Sequence, residues 1–127
     1  MSLDITPQVA QGRQLVQGYG DGQFRIADIR HTGSVLVFPD ETHAWPVTTA
    51  DDITTDALAA VLARADTLDL LVVGCGPVFM APPQALRDYL RGFAIALEWM
   101  DTGAACRTYN VLLTEDRRAA AALIAVA

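Results

Sequence analysis

Residues 101–110, with the sequence DTGAACRTYN, bring together side chains that can bind a ligand or take part in a reaction. Asp101 supplies a carboxylate, Thr102 a hydroxyl, Cys106 a thiol, Arg107 a guanidinium and Asn110 a carboxamide. Arg107 and Asn110 are three positions apart, so on a helix they share one face. The segment is therefore the first place to look for a site.

The polar residues of this segment allow two interpretations. In the first, Arg107 and the amide groups at the start of a helix bind an anion or a carboxylate. In the second, Arg107 pairs with Asp101 or holds a neighbouring loop, while Asn110 satisfies backbone groups. A helix start is expected here in either case, because Thr102 is suited to cap it and Asp101 suits the positive end of its dipole.

A second segment, residues 74–83, reads GCGPVFMAPP and follows a buried apolar run. It is a poor phosphate-binding loop, because Phe79 stands where a dinucleotide motif has its third glycine. The prolines at positions 77, 82 and 83 also lack the amide donors that an anion needs. Gly74 and Gly76 are best interpreted as residues that permit tight turns.

The two cysteines, Cys75 and Cys106, are predicted to be free thiols. A nucleophilic cysteine needs a base or a positive dipole, and the histidines His31 and His43 lie far from both in sequence. Small buried thiols are the favoured interpretation, although the two could lie near each other across a crevice. The histidine and cysteine spacing fits no familiar ligand set, so neither a metal nor a cofactor is predicted.

The elements that position these residues alternate between strands and helices. A glycine-rich hairpin comes first, followed by an apolar strand and a short edge strand, over residues 13–26, 33–39 and 43–47. Then come a helix capped by Thr54 or Thr55, a strand over 68–74, a helix from Pro83 to Gly92, and a strand over 94–100 before the Arg107 helix. This order predicts an α/β fold with a largely parallel sheet, while the alanine-rich tail allows a helix or a strand.

Both polar segments follow strands, so they are predicted to lie at strand carboxyl ends, where open α/β sheets bind ligands. If those strands are neighbours, residues 74–76 and 101–107 form the two walls of one crevice. Arg87, on the intervening helix, is expected to join its electropositive rim. The predicted site consists of Gly74, Cys75, Gly76, Arg87, Asp101, Thr102, Cys106, Arg107 and Asn110.

Composition disfavours several classes of function. A chain of 127 residues fits one domain, residues 1–127, with residues 1–12 as a loosely ordered arm. A net charge of −6 and scattered basic residues disfavour binding to nucleic acid and to anionic membranes. No apolar run reaches the length of a membrane span, and the first residues lack the features of a signal peptide. A cytoplasmic location is therefore expected.

Several stretches resemble a known family of small domains of unknown function that includes mitochondrial complex I assembly factor 3 and the adipogenesis-associated domain protein. The matching stretches are YGDGQFRI, GSVLVFP with Trp45, LLVVGCG, PPQALRDYLRG and above all MDTGAACRTYNVLL. The resemblance implies a three-layer sandwich with a central mixed, mostly parallel sheet. Helices cover one side of it, and a helix plus a β-hairpin cover the other.

The same resemblance implies that the tail AAAALIAV forms a strand, antiparallel to its neighbours. It supplies no reaction, because the mitochondrial relative acts in assembly through protein contacts. Relatives commonly have a hydroxyl residue between the two glycines, where this chain has Cys75, and that departure argues against hydroxyl-based chemistry.

Three functional hypotheses follow. The leading one is a non-enzymatic assembly or protein-interaction domain that contacts a partner at the strand-end crevice. The alternative is an enzyme that binds a small molecule or anion there, with Asp101 and Cys75 as reactive groups and Arg107 as the anchor. The third is a structural subunit of an oligomer. Trp45, Phe38 and Phe79 are expected to be core or rim aromatic residues, and a patch of them left exposed would favour a protein partner.

Overall fold

A computed structural model describes residues 12–127 of the chain. The predicted arm, residues 1–12, therefore lies outside the described residues except for Gly12. Within the described range, no helix has the length and apolar character needed to cross a bilayer.

The first elements of the described residues form a small antiparallel sheet of three strands, β1 (Val16–Gly20), β2 (Gln23–Ile26) and β3 (Ile29–Thr32). Asp21 and Gly22 join β1 to β2, and both have positive φ angles, 54° and 72°. A two-residue turn of this kind matches the twist of the strands, and an Asp-Gly pair favours it. The predicted hairpin is thus present and extends by one further strand.

The central sheet has five strands in the order β5-β4-β8-β6-β7. These are β4 (Val35–Val37), β5 (Thr42–Ala44), β6 (Leu70–Gly74), β7 (Ala96–Met100) and β8 (Ala119–Leu123). Strand β6 is parallel to both β7 and β8, whereas β4 is antiparallel to β8 and to β5. Four of the five strands therefore run in one direction, and β4 runs against them.

Helical segments cover both faces of this sheet. On one face lie α1 (Ala59–Leu62), α2 (Leu86–Arg91) and short 3-10 turns such as Ala50–Asp52, packed on Leu71, Val73 and Leu97. On the other face lie α3 (Thr102–Thr114) and the three-stranded sheet, packed on Val72 and Ala121. The three-layer arrangement implied by the family resemblance is confirmed.

The tail is a strand, as the resemblance implied, although alanine favours helix. All five residues of β8 are buried because both faces of the strand are covered, and burial of this kind overrides propensity. The expectation that this strand is antiparallel to its neighbours is half wrong. It is antiparallel to β4 but parallel to β6.

The end of α2 also differs from the expectation. A glycine at the end of a helix commonly takes a left-handed conformation, but the φ of Gly92 is −61°. Ala94 takes that role instead, with a φ of 59°. The amide of Ile95 then donates to the carbonyl of Leu90, which closes the turn into β7. The reversal therefore falls two residues later than glycine placement predicts.

Candidate functional site

Strands β6, β7 and β8 end side by side, and the edge of the sheet where they end is called the carboxyl edge below. Gly74, Met100 and Leu123 are the last residues of these strands. Both polar segments that the sequence singled out follow directly from this edge. The predicted neighbourhood of the two segments is therefore present.

Asp101, not Thr102, is the N-cap of α3. Its Oδ1 atom accepts a hydrogen bond of 3.0 Å from the amide of Ala104, and its backbone is extended, with φ −62° and ψ 160°. The expectation that Thr102 caps the helix is wrong by one residue. A cap accepts bonds from the first turn, whereas the side chain of Thr102 is buried and bonded elsewhere.

Thr102 links the ends of two strands to the start of α3. Its hydroxyl donates to the carbonyl of Ile124 at 2.8 Å and accepts from the amide of Gly76 at 3.1 Å. Its own amide donates to the carbonyl of Gly76 at 2.9 Å. Gly74 must be a glycine, because a Cβ atom there would lie 2.8 Å from the Cα of Thr102.

These contacts bring the two expected walls of the crevice directly together. Besides the Thr102 bonds, the amide of Cys75 donates to the carbonyl of Met100 at 2.8 Å. The amide of Ile124 donates to the carbonyl of Gly74 at 3.0 Å. The hydrogen-bonding groups of both segments are thus largely used within the fold. The assignment of a binding site to these residues stays a prediction.

Arg107 lies on the exposed side of α3, and its pairing with Asp101 is not found. Its Nη1 atom lies 3.5 Å from the hydroxyl of Tyr19, at the outer limit of a hydrogen bond. Tyr19 reaches from β1 over the first turn of α3, where a Cβ atom on Gly103 would lie 2.6 Å from its hydroxyl. Arg107 therefore lies near the small sheet and carries no ion pair within the described residues.

Asn110 joins α3 to β1. Its Oδ1 atom accepts from the amide of Val16 at 2.9 Å, and its Nδ2 atom donates to the carbonyl of Val16 at 2.7 Å. These two bonds satisfy both backbone groups of a residue at the start of the strand. Asn110 has the backbone-satisfying role of the second interpretation.

The two thiols lie on opposite faces of the central sheet, so the idea that they approach each other is wrong. Cys75 packs with the α1 and α2 side, and Cys106 packs with the α3 side. Both are buried and free. Burial raises the pKa of Cys106 to about 12, which keeps it protonated at neutral pH and makes it a poor nucleophile. The Cys75 thiol lies 3.5 Å from the carbonyl of Val78 and accepts from the amide of Met80 at 3.4 Å.

Arg87 lies away from the carboxyl edge, contrary to the expectation that it joins the rim. Its Nη1 atom donates to the carbonyl of Leu97 at 2.6 Å and so covers part of the outer edge of β7. An open depression of about 340 Å³ lies there, lined by Arg87, Arg91 and Asp69 among others. This depression is separate from the segments that contain Asp101 and Cys75.

Residues 77–83, called the apolar loop below, present large apolar side chains to solvent. Val78, Phe79 and Met80 are 63%, 62% and 48% exposed. The indole nitrogen of Trp99 donates to the carbonyl of Met80 at 2.5 Å, which holds the loop on the end of β7. A sequence signal was available, because residues 74–86 contain no charged side chain. Phe38 and Trp45, in contrast, are buried.

A pocket of about 240 Å³ opens beside the apolar loop. Cys75, Gly76, Pro77, Val78 and Met80 form one side of it. Two other segments complete the pocket. One lies between β5 and β6 and contributes Thr48, Thr49, Ala50 and Asp51, and the other follows β8 and contributes Ile124 and Ala125. Within residues 12–127, no group of three histidine, cysteine or carboxylate side chains is arranged to hold a metal ion.

Comparison with known proteins extends these observations. The family described as "Protein of unknown function (DUF498/DUF598)" matches residues 16–124. An uncharacterized protein of Rhodobacter capsulatus is 40% identical over 109 residues, which cover 86% of this chain and 82% of that protein. The Drosophila melanogaster protein named NADH dehydrogenase (ubiquinone) 1 alpha subcomplex assembly factor 3 is 34% identical over 115 residues. That match covers 87% of this chain but 58% of the Drosophila protein.

A solved structure gives the same architecture. The crystal structure described as an outer membrane protein from Bartonella henselae superimposes with a TM-score of 0.85 at 38% sequence identity. The superposition covers 92% of this chain and 98% of that one. The family resemblance drawn from residues such as those in MDTGAACRTYNVLL is confirmed.

Proposed function

This chain belongs to the DUF498/DUF598 family, and we propose that it acts as a non-enzymatic assembly or protein-interaction domain. Relatives named as assembly factors of NADH dehydrogenase support a role of this kind. Because the chain spans little more than half of the Drosophila relative, the complex that it would assemble is left open.

The exposed apolar loop is the observation that carries the proposal. Three large apolar side chains, Val78, Phe79 and Met80, follow one another at the surface. A continuous exposed apolar patch is typical of a site that another protein covers. The indole of Trp99 donates to the carbonyl of Met80, and the amide of Met80 donates to the sulfur of Cys75. These bonds hold the loop in place, so it would lose little conformational freedom on binding.

The surroundings of the predicted reactive groups support a non-enzymatic role. Asp101 is engaged as a helix cap, and the Thr102 hydroxyl makes two buried hydrogen bonds. Cys75, the other predicted reactive group, is buried, and its sulfur contacts the carbonyl of Val78 and the amide of Met80. Burial also raises the pKa of Cys106 and so keeps that thiol protonated at neutral pH. General acid–base or nucleophilic catalysis needs a group that is free to reach a substrate, and these groups are occupied within the fold.

Site-specific photocrosslinking in cells of the native host tests the proposal. A photoreactive residue replaces Phe79 in one variant and Ile29, which is 60% exposed on β3, in the control. The Phe79 variant should give a crosslink to the same partner in replicate experiments, and the Ile29 variant should not. Phe79→Ser should abolish co-purification of that partner while Ile29→Ser preserves it. Equal crosslinking and equal co-purification for the two positions would contradict the proposal.

The cytoplasm is the compartment that we propose for this domain. Both cysteines are free, as a reducing compartment would keep them. The description of the Bartonella henselae structure as an outer membrane protein makes cell fractionation a useful check. Recovery of the protein with the membrane fraction, after washing at high ionic strength, would argue against a cytoplasmic location.

A further inference from the structure

We propose that the partner of the carboxyl edge is a protein segment in which one large apolar side chain is flanked by basic residues. This inference rests on the proposed function and deepens it, because it names the chemistry of the partner. The apolar side chain would enter the pocket beside the apolar loop. The basic residues would lie against the acidic turn that forms the opposite side of that pocket.

The size of the pocket favours a single anchoring side chain. Its volume of about 240 Å³ lies below the range of roughly 300–1,000 Å³ that is typical of pockets for whole small-molecule ligands. Val78 and Met80 extend its apolar lining onto the exposed loop, where Phe79 offers further contact area. A protein segment can use both parts at once, with an anchor in the pocket and neighbouring residues on the loop.

The charges around the pocket determine the flanking residues. Asp51 lines the pocket, and Asp52 follows it in the same exposed 3-10 turn. The hydroxyl of Thr49, another lining residue, donates to Oδ2 of Asp52 at 3.1 Å and so fixes that carboxylate next to a residue of the pocket. No arginine lines the pocket to neutralise these carboxylates.

The basic residues of the chain lie elsewhere. All nine are arginines, and in the described structure several are paired with carboxylates of their own, as Arg64 is with Asp40 and Glu41. Arg87 covers the edge of β7. Asp51 and Asp52 form no ion pair within the described residues. Complementary charge steers partners and selects among them, so a basic partner segment fits this edge better than a neutral or acidic one.

Binding of three synthetic peptides to the full chain tests the inference. The peptides share a centre with a single leucine and differ in their flanks, which are arginine, glutamine or glutamate. Backbone amide chemical shifts recorded by NMR would locate binding and yield the affinities. We expect the arginine-flanked peptide to bind at least about fivefold more tightly than the glutamine-flanked one, and the glutamate-flanked one most weakly. Shifts should concentrate at Asp51, Cys75, Val78 and Met80.

Matched variants assign the preference to the acidic turn. Combined Asp51→Asn and Asp52→Asn should bring the affinities of the arginine-flanked and glutamine-flanked peptides together. Asp66→Asn, which removes an exposed charge from a different 3-10 turn, should leave the preference intact. A higher ionic strength should also reduce the preference, because salt screens exposed charges.

The outcomes separate the inference from the proposed function. Equal affinities for all three peptides, with shifts at the apolar loop, would overturn the inference and leave the docking surface standing. The inference would also be overturned if no peptide changed the amide chemical shifts of the apolar loop. Crosslinking at position 79 would then test the proposed function independently. A preference that survives in the Asp51 and Asp52 variant would equally contradict it.

Discussion

Two neighbouring segments at the carboxyl edge use their side chains in opposite ways. Residues 101–110 are rich in polar groups, yet Asp101, Thr102 and Asn110 bond to the protein itself. The apolar loop carries no polar side chain, yet it turns Val78, Phe79 and Met80 towards solvent. The comparison shows that residue type suggests chemistry, whereas burial and partners decide whether the chemistry is available.

The largest effect is expected at Thr102, because its hydroxyl makes two buried hydrogen bonds. Thr102→Val keeps the shape of the side chain but leaves the amide of Gly76 and the carbonyl of Ile124 without a buried partner. The free energy of unfolding should fall by about 3 kcal/mol, because each unsatisfied buried group costs roughly 1–3 kcal/mol. Urea denaturation measures this loss. Thr114→Val, at the exposed end of the same helix, is the control and should stay within about 0.5 kcal/mol of wild type.

Asn110→Ala should have the next largest effect. It removes both hydrogen bonds to Val16, which are partly buried, and should lower the free energy of unfolding by about 1–2 kcal/mol. Hydrogen exchange at the Val16 amide should become faster than in the neighbouring control Val111→Ala, whose side chain is exposed. Unchanged protection of the Val16 amide from hydrogen exchange would show that Asn110 does not stabilise the start of β1.

Asp101→Ala should destabilise the protein by about 1 kcal/mol through loss of the helix cap. Asp101→Ser should recover most of that stability, since serine caps helices nearly as well as aspartate. Thermal melts of the two variants make the comparison. If serine failed to rescue the melt, a role of Asp101 beyond capping would follow.

Arg107→Ala is expected to have the smallest effect on the free energy of unfolding. One of the two interpretations of the sequence paired Arg107 with Asp101, but Arg107 is exposed and lacks that pair. Its loss should therefore change stability by about 0.5 kcal/mol or less. Arg64→Ala is the contrast, because Arg64 contacts two carboxylates and lies 4.2 Å from the ring centre of Phe38, and it should be clearly more destabilising. A loss for Arg107→Ala as large as that for Arg64→Ala would show that Arg107 supports the fold.

Much of the fold was predictable from the sequence because apolar periodicity marks buried strands and helices. LLVVG over 70–74 and the helix that contains Arg107 lie close to their predicted positions. The strand at 119–123 was not predictable from propensity, since alanine alone favours helix. The family resemblance supplied it, because only the layers on both sides explain why a run of alanines is extended.

The candidate site was harder to predict because it depends on which face each element covers. Connections between parallel strands have one preferred hand, and β6 to β7 and β7 to β8 move across the sheet in opposite directions. Helices α2 and α3 therefore cover opposite faces, which separates Cys75 from Cys106. Strand order is not visible in a single sequence, so the two thiols looked like possible neighbours. The exposure of Phe79 likewise depends on how the loop crosses Trp99.

The position of β8 in the central sheet has a consequence for the order of folding. In the described sheet, this last strand in sequence lies between β4 and β6 and joins the β5-β4 pair to the β6-β7 pair. Pairing Val35 with Leu123 closes a long loop, and contacts of that range slow folding. Until β8 inserts, β4 and β6 each present an unpaired edge that can recruit strands from other chains. During synthesis, the sheet can close only after residue 123 has left the ribosome, so the growing chain carries first the open edge of β4 and then that of β6 as well until this point.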